Sequence, residues 1–180
     1  MRNSAALEKR YLVITTLEKN APEIEVLNNE LKQYIAEFEI ILAGELKINH
    51  CIGCNDCWIK TPGICCLKDD YEQILIKMLQ ADTVIFLTSV NRGFVCSRMK
   101  NIVDRILPLA TMYLKIKNGQ MRHYNRYNKV PNMTMVYLGE ADNNYLDLWL
   151  SRVQLNLHGV SLGSYEFDNR KGLYHALINH

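Results

Sequence analysis

Five of the six cysteines in this 180-residue chain fall within sixteen consecutive residues, and their spacing suits metal or redox chemistry. Two overlapping C-x2-C units supply three thiols, and a Pro-Gly turn precedes a fourth: Cys51, Cys54, Cys57 and Cys65. Four closely spaced thiolates are the ligands that a 4Fe-4S cluster requires. Gly53 can take the positive φ that such a loop often needs. The spacing therefore predicts a 4Fe-4S cluster on these four thiols.

Two other interpretations of the cysteine segment remain open. A structural zinc also uses four thiolates, although zinc sites usually combine two separated pairs of ligands. Uncoordinated thiols, which pack as small apolar side chains, are the other alternative. We expect this packing role for Cys66 and Cys96, because neither follows the C-x2-C spacing.

Short apolar runs alternate with amphipathic stripes along the chain, which predicts an α/β fold. The helical stripes fall within residues 22–38, 70–79, 95–106 and 145–155, and a closing helix is expected at 173–178. Five strands suit a flavodoxin-like, doubly wound parallel sheet with helices on both faces. We expect one domain over residues 1–180, with a cysteine-rich loop at 50–70. The predicted strands are Tyr11–Ile14, Glu39–Leu42, Thr83–Leu87, Met133–Leu138 and Ser161–Phe167.

Parallel sheets bind ligands beyond the carboxyl ends of their strands. In this chain those ends are predicted at residues 15–22, 89–94 and 139–144. A ligand held by the sheet is therefore expected to contact these three loops.

Composition narrows the class of protein and its partners. Lys and Arg total 21 against 19 Asp and Glu, which argues against an extended nucleic-acid-binding face. No apolar run approaches the roughly 20 residues of a membrane-spanning helix, and the first residues lack the pattern of a signal peptide. We therefore expect a cytoplasmic protein that contacts neither membrane nor nucleic acid, with reduced cysteines.

Two motifs carry a resemblance to a known family. Residues 51–70 read C-x-G-C-x-x-C-W-x-x-T-P-G-x-C-x-x-x-D-D, and residues 119–127 read G-x-M-R-H-x-x-R-Y. With the segments at 81–86 and 100–105, these resemble the iron-sulfur flavoproteins and related NAD(P)H-dependent FMN reductases of the flavodoxin-like superfamily. The resemblance extends over roughly residues 10–165.

The resemblance implies bound FMN, hydride or electron transfer at its isoalloxazine ring and NAD(P)H as co-substrate. It also implies cluster ligands at the positions of the four thiols above, and a homo-oligomer, either a dimer or a tetramer. A ferredoxin or another redox protein is a further expected partner. The resemblance identifies no catalytic residue. The implied FMN contacts are Thr16, Lys19, Asn20, Ser89, Val90, Asn91, Arg92, Gly93 and Gly139.

The loop after the first strand departs from the family's phosphate-binding pattern. No glycine precedes Gly44, and Glu18 and Glu23 stand where a basic residue and a hydroxyl are usual. Asn91 likewise replaces an aromatic residue that usually packs near the flavin. These departures motivate a second hypothesis, in which a diverged relative without FMN acts as a partner subunit or a cysteine-based redox sensor. The leading hypothesis is a flavin-dependent oxidoreductase or electron-transfer protein.

Two further segments have simpler expected roles. The basic and aromatic residues at 119–127 could bind a nicotinamide phosphate or nucleic acid, but a solvated loop or a subunit contact is the commoner explanation. Asp69 and Asp70 are expected to begin a helix, where carboxylate oxygens accept hydrogen bonds from free N–H groups.

Overall fold

A computed structural model describes residues 9–180, which build a central parallel sheet covered by helices on both faces. The first eight residues of the expected 1–180 domain, and with them the start of the segment tested for a signal peptide, lie outside the described residues. The strands are β1 (Tyr11–Thr15), β2 (Phe38–Leu42), β3 (Thr83–Asn91), β4 (Phe94–Val95), β5 (Ala110–Lys117), β6 (Gln120–Asn125), β7 (Asn132–Leu138) and β8 (Ser161–Glu166).

The order of the parallel strands is β2-β1-β3-β7-β8. Each neighbouring pair in this order runs parallel. Counting only these five strands, this is the 2-1-3-4-5 order of the flavodoxin-like fold. The predicted fold class is therefore confirmed, and the carboxyl ends of β1, β3 and β7 meet at one edge of the sheet.

Of the six α-helices within residues 9–180, all but the short α2 cover the sheet, in two layers. Alternate residues of each strand face opposite layers, so Ile14 packs with α3, α4 and α5 whereas Val13 packs with α1 and α6. Both layers have fully buried aliphatic cores, which fix the sheet that carries the functional loops. The helices are α1 (Pro22–Leu31), α2 (Asp56–Ile59), α3 (Tyr71–Gln80), α4 (Ser97–Asp104), α5 (Asn143–Leu157) and α6 (Lys171–Asn179).

The structure corrects two details of the predicted elements. The helical stripe assigned to residues 22–38 ends at Leu31, and Phe38 instead opens β2, where it pairs with Tyr11. An antiparallel extension, β4 on β3, and a separate β5-β6 hairpin were not predicted from the sequence pattern. Strand β4 is only two residues long, and the hairpin leaves large apolar groups such as Tyr113 and Ile116 exposed, so neither has the buried apolar face on which the strand prediction relied.

Within residues 9–180, every helix is too short or too polar to cross a lipid bilayer.

Candidate functional site

The cysteine segment is a compact loop built around one helical turn. Asn55 and Gly53 adopt positive φ values of 61° and 67°, and these two turns lead the chain into α2. The Gly63 N–H donates to the Cys57 carbonyl over 3.0 Å, which closes the loop on itself. The predicted left-handed conformation of Gly53 is confirmed, and Cys57 is buried on the inner side of the turn.

All five cysteines of the segment converge on one small cavity, whose remaining lining includes Leu67 and Leu107. The predicted ligands differ in exposure: Cys57 is buried, Cys54 is exposed, and Cys51 and Cys65 are intermediate. Burial, and then the negative charges of the neighbouring thiolates, raises the pKa of Cys57 to about 11. A cation at the centre of this group would reverse that effect, because thiolates bind metal in their charged form.

From the sequence, Cys66 was expected to pack as an apolar side chain apart from the other thiols. In the structure it contacts one of them. Its Sγ lies 3.3 Å from the Cys54 Sγ. The hydrogen bond with Cys54 raises the pKa of Cys66 to about 11. Potential ligand atoms of Cys54, Asp56 and Cys66 lie within 4.8 Å of one another. The sequence did not indicate this second group of ligand atoms, because Cys66 does not follow the C-x2-C spacing.

A buried ion pair lies directly behind the cysteine cavity. The Arg105 and Asp69 side chains are 1% and 0% exposed, and an Arg105 guanidinium nitrogen donates to Asp69 over 2.6 Å. The other terminal nitrogen of Arg105 donates to the Cys65 Sγ over 3.3 Å. The guanidinium also stacks 4.3 Å from the centroid of the Tyr71 ring. A fixed positive charge therefore contacts one of the four predicted ligands.

Asp69 does more than begin α3. Burial alone would raise its pKa, but hydrogen bonds from Arg105 and from the backbone N–H groups of Asn49 and Tyr71 lower it to about 2. The expected helix-capping contact is present in the bond from the Tyr71 N–H, whereas Asp70 accepts from the Lys47 N–H instead. The sequence resemblance included Arg105, but no spacing rule indicated that it reaches the cysteine segment.

The G-x-M-R-H-x-x-R-Y residues support the cysteine segment from the β5-β6 side. The Trp58 indole donates to the Leu107 carbonyl over 2.8 Å, and its ring centroid lies 4.9 Å from that of His123. A Cβ on Gly63 would come within 2.9 Å of the Tyr127 hydroxyl. The motif thus packs within the chain, rather than forming only the solvated loop or subunit contact that its composition suggested.

At the carboxyl edge of the sheet, three polar side chains form a small cluster. The Thr16 hydroxyl lies 2.8 Å from that of Thr88, and the Cys96 Sγ lies 3.4 Å and 3.3 Å from these hydroxyls. Burial would raise the pKa of Cys96, but these hydroxyls and the N–H groups of Met99 and Arg98 lower it. Cys96 is therefore hydrogen-bonded, which corrects the expectation that it serves only as apolar packing.

The structure gathers some, but not all, of the residues that the resemblance implies for FMN. Gly139 has a φ of 102° and lies so close to Val90 that an added Cβ would be 3.0 Å from its methyl group. Asn91, Arg92 and Gly93 form a tight turn between β3 and β4, with Asn91 and Arg92 exposed. Ser89 joins this turn to the sheet through its carbonyl, which accepts from the Cys96 N–H over 3.1 Å.

Lys19 and Asn20 lie away from that group. They line a separate cavity between α1 and β2, together with Ile40 and Leu42. Helix α1 has no side-chain cap, and its first turn carries Glu23 and Glu25. A phosphate dianion is stabilised by free N–H groups and cations at a helix start, so these carboxylates oppose it. The loop after β1 does not fit the phosphate group of FMN.

The donor set of the cysteine cavity, by contrast, fits an iron-sulfur cluster. It offers the required four thiols, a hydrophobic border and a hydrogen-bond donor on one ligand sulfur. Cysteine sulfurs from both ends of the loop line this cavity.

No family model matches the chain. An 85-residue stretch is 40% identical to an iron-sulfur flavoprotein of Methanocaldococcus jannaschii, covering 47% of this chain and 42% of that protein. An 82-residue stretch is 37% identical to an iron-sulfur flavoprotein of Archaeoglobus fulgidus, covering 46% of this chain and 39% of that protein. These matches therefore span less than half the length of the curated relatives. They confirm the resemblance predicted from the sequence motifs.

Solved structures share the fold at low sequence identity. An azoreductase from Bacillus anthracis has a TM-score of 0.60 and 10% identity, covering 93% of this chain and 96% of that chain. An apo NADH:FMN oxidoreductase has a TM-score of 0.56 and 13% identity, covering 95% of this chain and 85% of that chain. This likeness establishes a common α/β architecture.

Proposed function

We propose that this chain is an electron-transfer oxidoreductase of the iron-sulfur flavoprotein type. A 4Fe-4S cluster on Cys51, Cys54, Cys57 and Cys65 is its redox centre. The single observation that carries the proposal is the convergence of these thiols on one cavity, beside the buried cation of Arg105. The names of the curated relatives support the same class.

When bound, such a cluster supplies a one-electron carrier whose potential depends on hydrogen bonds to its sulfurs and on solvent exposure. The chain's own residues set both. Arg105 donates to the Cys65 sulfur, and Asp69 fixes the guanidinium in place. Leu67 and Leu107 add apolar surface to the border of the cavity. The positive charge beside the ligand favours the more negative, reduced form of the site.

FMN is the second proposed cofactor, at the carboxyl edge of the sheet. The fold and the titles of neighbours such as the NADH:FMN oxidoreductase support it, as does the grouping of Thr16, Ser89, Val90 and Gly139. The loop after β1 opposes it, because its carboxylates would repel the phosphate. We assign no step to the flavin for that reason. A ferredoxin is proposed as a one-electron donor to the cluster. NAD(P)H gives up two electrons as a hydride, so it is proposed as a donor only where FMN is bound.

A homo-oligomer is also proposed, with the β5-β6 hairpin as the contact region. Its large apolar side chains are exposed in the single chain, among them Tyr113 at 69% and Ile116 at 73%. Exposed apolar groups on neighbouring residues are typical of protein interfaces. Sedimentation velocity of the wild type and of Ile116→Lys tests this, since the substitution is expected to release monomer. An unchanged sedimentation coefficient would show that the hairpin is not the contact region.

The cluster is tested directly on protein purified without air. We expect about four iron and four acid-labile sulfide per chain, with the electron paramagnetic resonance signal of a reduced cluster after dithionite. Stoichiometric zinc in place of iron and sulfide would instead establish the structural zinc alternative. Negligible metal after reconstitution with iron and sulfide would end the proposal.

One observation favours a second candidate function, a cluster-containing redox sensor or partner subunit without FMN. It is the acidic first turn of α1, which follows the loop where the family resemblance would put the phosphate. Titration with FMN, followed by quenching of flavin fluorescence, separates the two. Saturable binding at micromolar concentration supports the flavoprotein, and no quenching supports the flavin-free sensor.

A further inference from the structure

Cys66 is a fifth thiol in a segment whose predicted cluster needs only four. Its Sγ lies 3.3 Å from that of Cys54. Among residues 9–180, no other two cysteine sulfurs lie within hydrogen-bonding distance of each other. The surplus thiol is therefore directed at one particular ligand rather than shared among all of them.

The pair is accessible and its backbone can adjust. Cys54 is exposed and Cys66 is intermediate, whereas Cys57 is buried. Cys54 stands between two residues with positive φ, Gly53 and Asn55, and the space around the Gly53 Cα is open. A disulfide needs its sulfurs about 2.0 Å apart, so they must approach by about 1.3 Å. A loop turn that projects into open space can supply that movement.

Two of the other predicted ligands, Cys57 and Cys65, are restrained in ways that Cys54 is not. Cys65 is held by the Arg105 guanidinium over 3.3 Å. Cys57 lies on α2, whose next residue, Trp58, is anchored to the Leu107 carbonyl. Cys54 thus combines the greatest exposure with the nearest sulfur partner.

We propose that Cys54 and Cys66 form a reversible disulfide that removes Cys54 from the cluster's ligand set. The oxidant is a low-molecular-weight disulfide such as glutathione disulfide. The Cys54 thiolate attacks one sulfur of the oxidant, forms a mixed disulfide and releases one glutathione. The Cys66 thiolate then attacks the Cys54 sulfur, breaks the mixed disulfide and releases the second glutathione. The two cysteine protons pass to the two glutathiones, so two electrons reduce the oxidant.

The consequence rests on the proposed cluster: the segment holds either a 4Fe-4S cluster on four thiolates or a Cys54-Cys66 disulfide with only three candidate ligands left. Removal of one of the four thiolate ligands is expected to weaken cluster assembly strongly. Oxidation of this pair therefore controls whether the apo chain can accept a cluster.

The chain's own cleavage sites make the disulfide easy to map. Trypsin cuts after Lys47, Lys60 and Lys68, so Cys54 falls on peptide 48–60 and Cys66 on peptide 61–68. The full apo chain is treated anaerobically with glutathione disulfide, digested without reductant and analysed by mass spectrometry. We expect one linked pair of peptides, with fragment ions that place the bond between Cys54 and Cys66.

Matched variants decide which sulfurs are used. Cys66→Ser and Cys54→Ser are expected to lose the linked pair, whereas Cys65→Ser and Cys96→Ser are expected to retain it. A link that survives Cys66→Ser, or glutathione adducts without any link in the wild type, would overturn the proposal. Circular dichroism of each variant before oxidation confirms that the fold is intact.

Reconstitution separates this inference from the proposed function. Reduced wild type and reduced Cys66→Ser are both expected to take up iron and sulfide. After oxidation the linked wild type is expected to lose at least tenfold in iron uptake, and reduction with dithiothreitol is expected to restore it. Cys66→Ser cannot displace glutathione from Cys54, so it is expected to carry that adduct instead of a link. Iron uptake by the linked wild type at the reduced level would overturn the switch. If no reduced protein takes up iron, the cluster proposal fails, and the peptide map still tests the disulfide.

Discussion

The cysteine segment and the loop after β1 differ in how well their side chains suit the cofactor expected at each place. The first is tied to its surroundings by specific contacts from Arg105, Trp58 and the residues behind them. The second keeps its place at the edge of the sheet, but its charges oppose the phosphate expected there. A fold can therefore preserve the position of a site while the side chains that give it chemistry change.

The largest expected effect breaks the cysteine side of this comparison. Cys57→Ser removes a buried predicted ligand, and we expect iron content after reconstitution to fall on the order of tenfold or more. Iron and sulfide analysis measures it. Cys96→Ser, a cysteine outside the segment, serves as the control and should keep the wild-type iron content. Equal iron in Cys57→Ser and the wild type would exclude Cys57 as a ligand.

The next largest effect concerns the buried pair. Arg105→Met leaves the Asp69 carboxylate buried without its partner, which should lower the free energy of unfolding by about 3–5 kcal/mol. Urea denaturation measures this. Lys100→Met, on α4 just before Arg105, disrupts the exposed pair with Asp104 and should change the free energy by less than about 1 kcal/mol. Similar losses in both variants would contradict a special role for the buried pair.

The same pair predicts a dependence of stability on pH. Because the pKa of Asp69 is lowered in the folded state from 3.8 to about 2, its contribution is fully present above pH 4 and is lost as the pH falls toward 2. The contribution is about 2 kcal/mol. Unfolding free energies of the wild type and Asp69→Asn should run parallel above pH 5 and converge by about this amount below pH 4. A constant difference down to pH 2 would disprove the linkage.

The smallest expected effect sharpens the other side of the comparison. Replacing two carboxylates, Glu18→Arg with Glu23→Thr, should tighten FMN binding roughly ten- to thirtyfold, since each like charge near the phosphate costs on the order of 1 kcal/mol and exposure to solvent weakens the effect. Fluorescence titration gives the Kd. Glu37→Thr, at the opposite end of β2, is the matched control. An already high affinity that does not improve would show that the phosphate binds elsewhere.

Much of the fold could be predicted from the sequence because its signals are local. Runs such as Thr83–Leu87 and the stripe at Ile74, Leu75 and Met78 correspond to β3 and α3. The end of α1 could not be predicted, because Phe38 continues the helical stripe in the sequence but lies in β2, where it pairs with β1. Sequence spacing alone does not show which of two competing partners an apolar residue will contact.

The candidate site divides in the same way. Cysteine spacing indicated four thiols, and the structure brings them to one cavity. The spacing did not indicate Arg105, which is 40 residues from Cys65 and reaches it only through the packing of α4. Nor did it indicate that Cys66 contacts Cys54 across the loop. These contacts depend on tertiary packing and leave no periodic pattern in the sequence.

The buried arrangement of Asp69, Arg105 and Tyr71 also governs how the cysteine segment can open. The N–H groups of Asn49 and Tyr71 both donate to Asp69, and the Tyr71 hydroxyl donates to the Ile102 carbonyl within α4. Releasing the segment at this point therefore disturbs α3 and α4 together. Hydrogen exchange at these two amides should report a shared opening of ligand loop and helices, so that binding of a cluster slows exchange well beyond the loop itself.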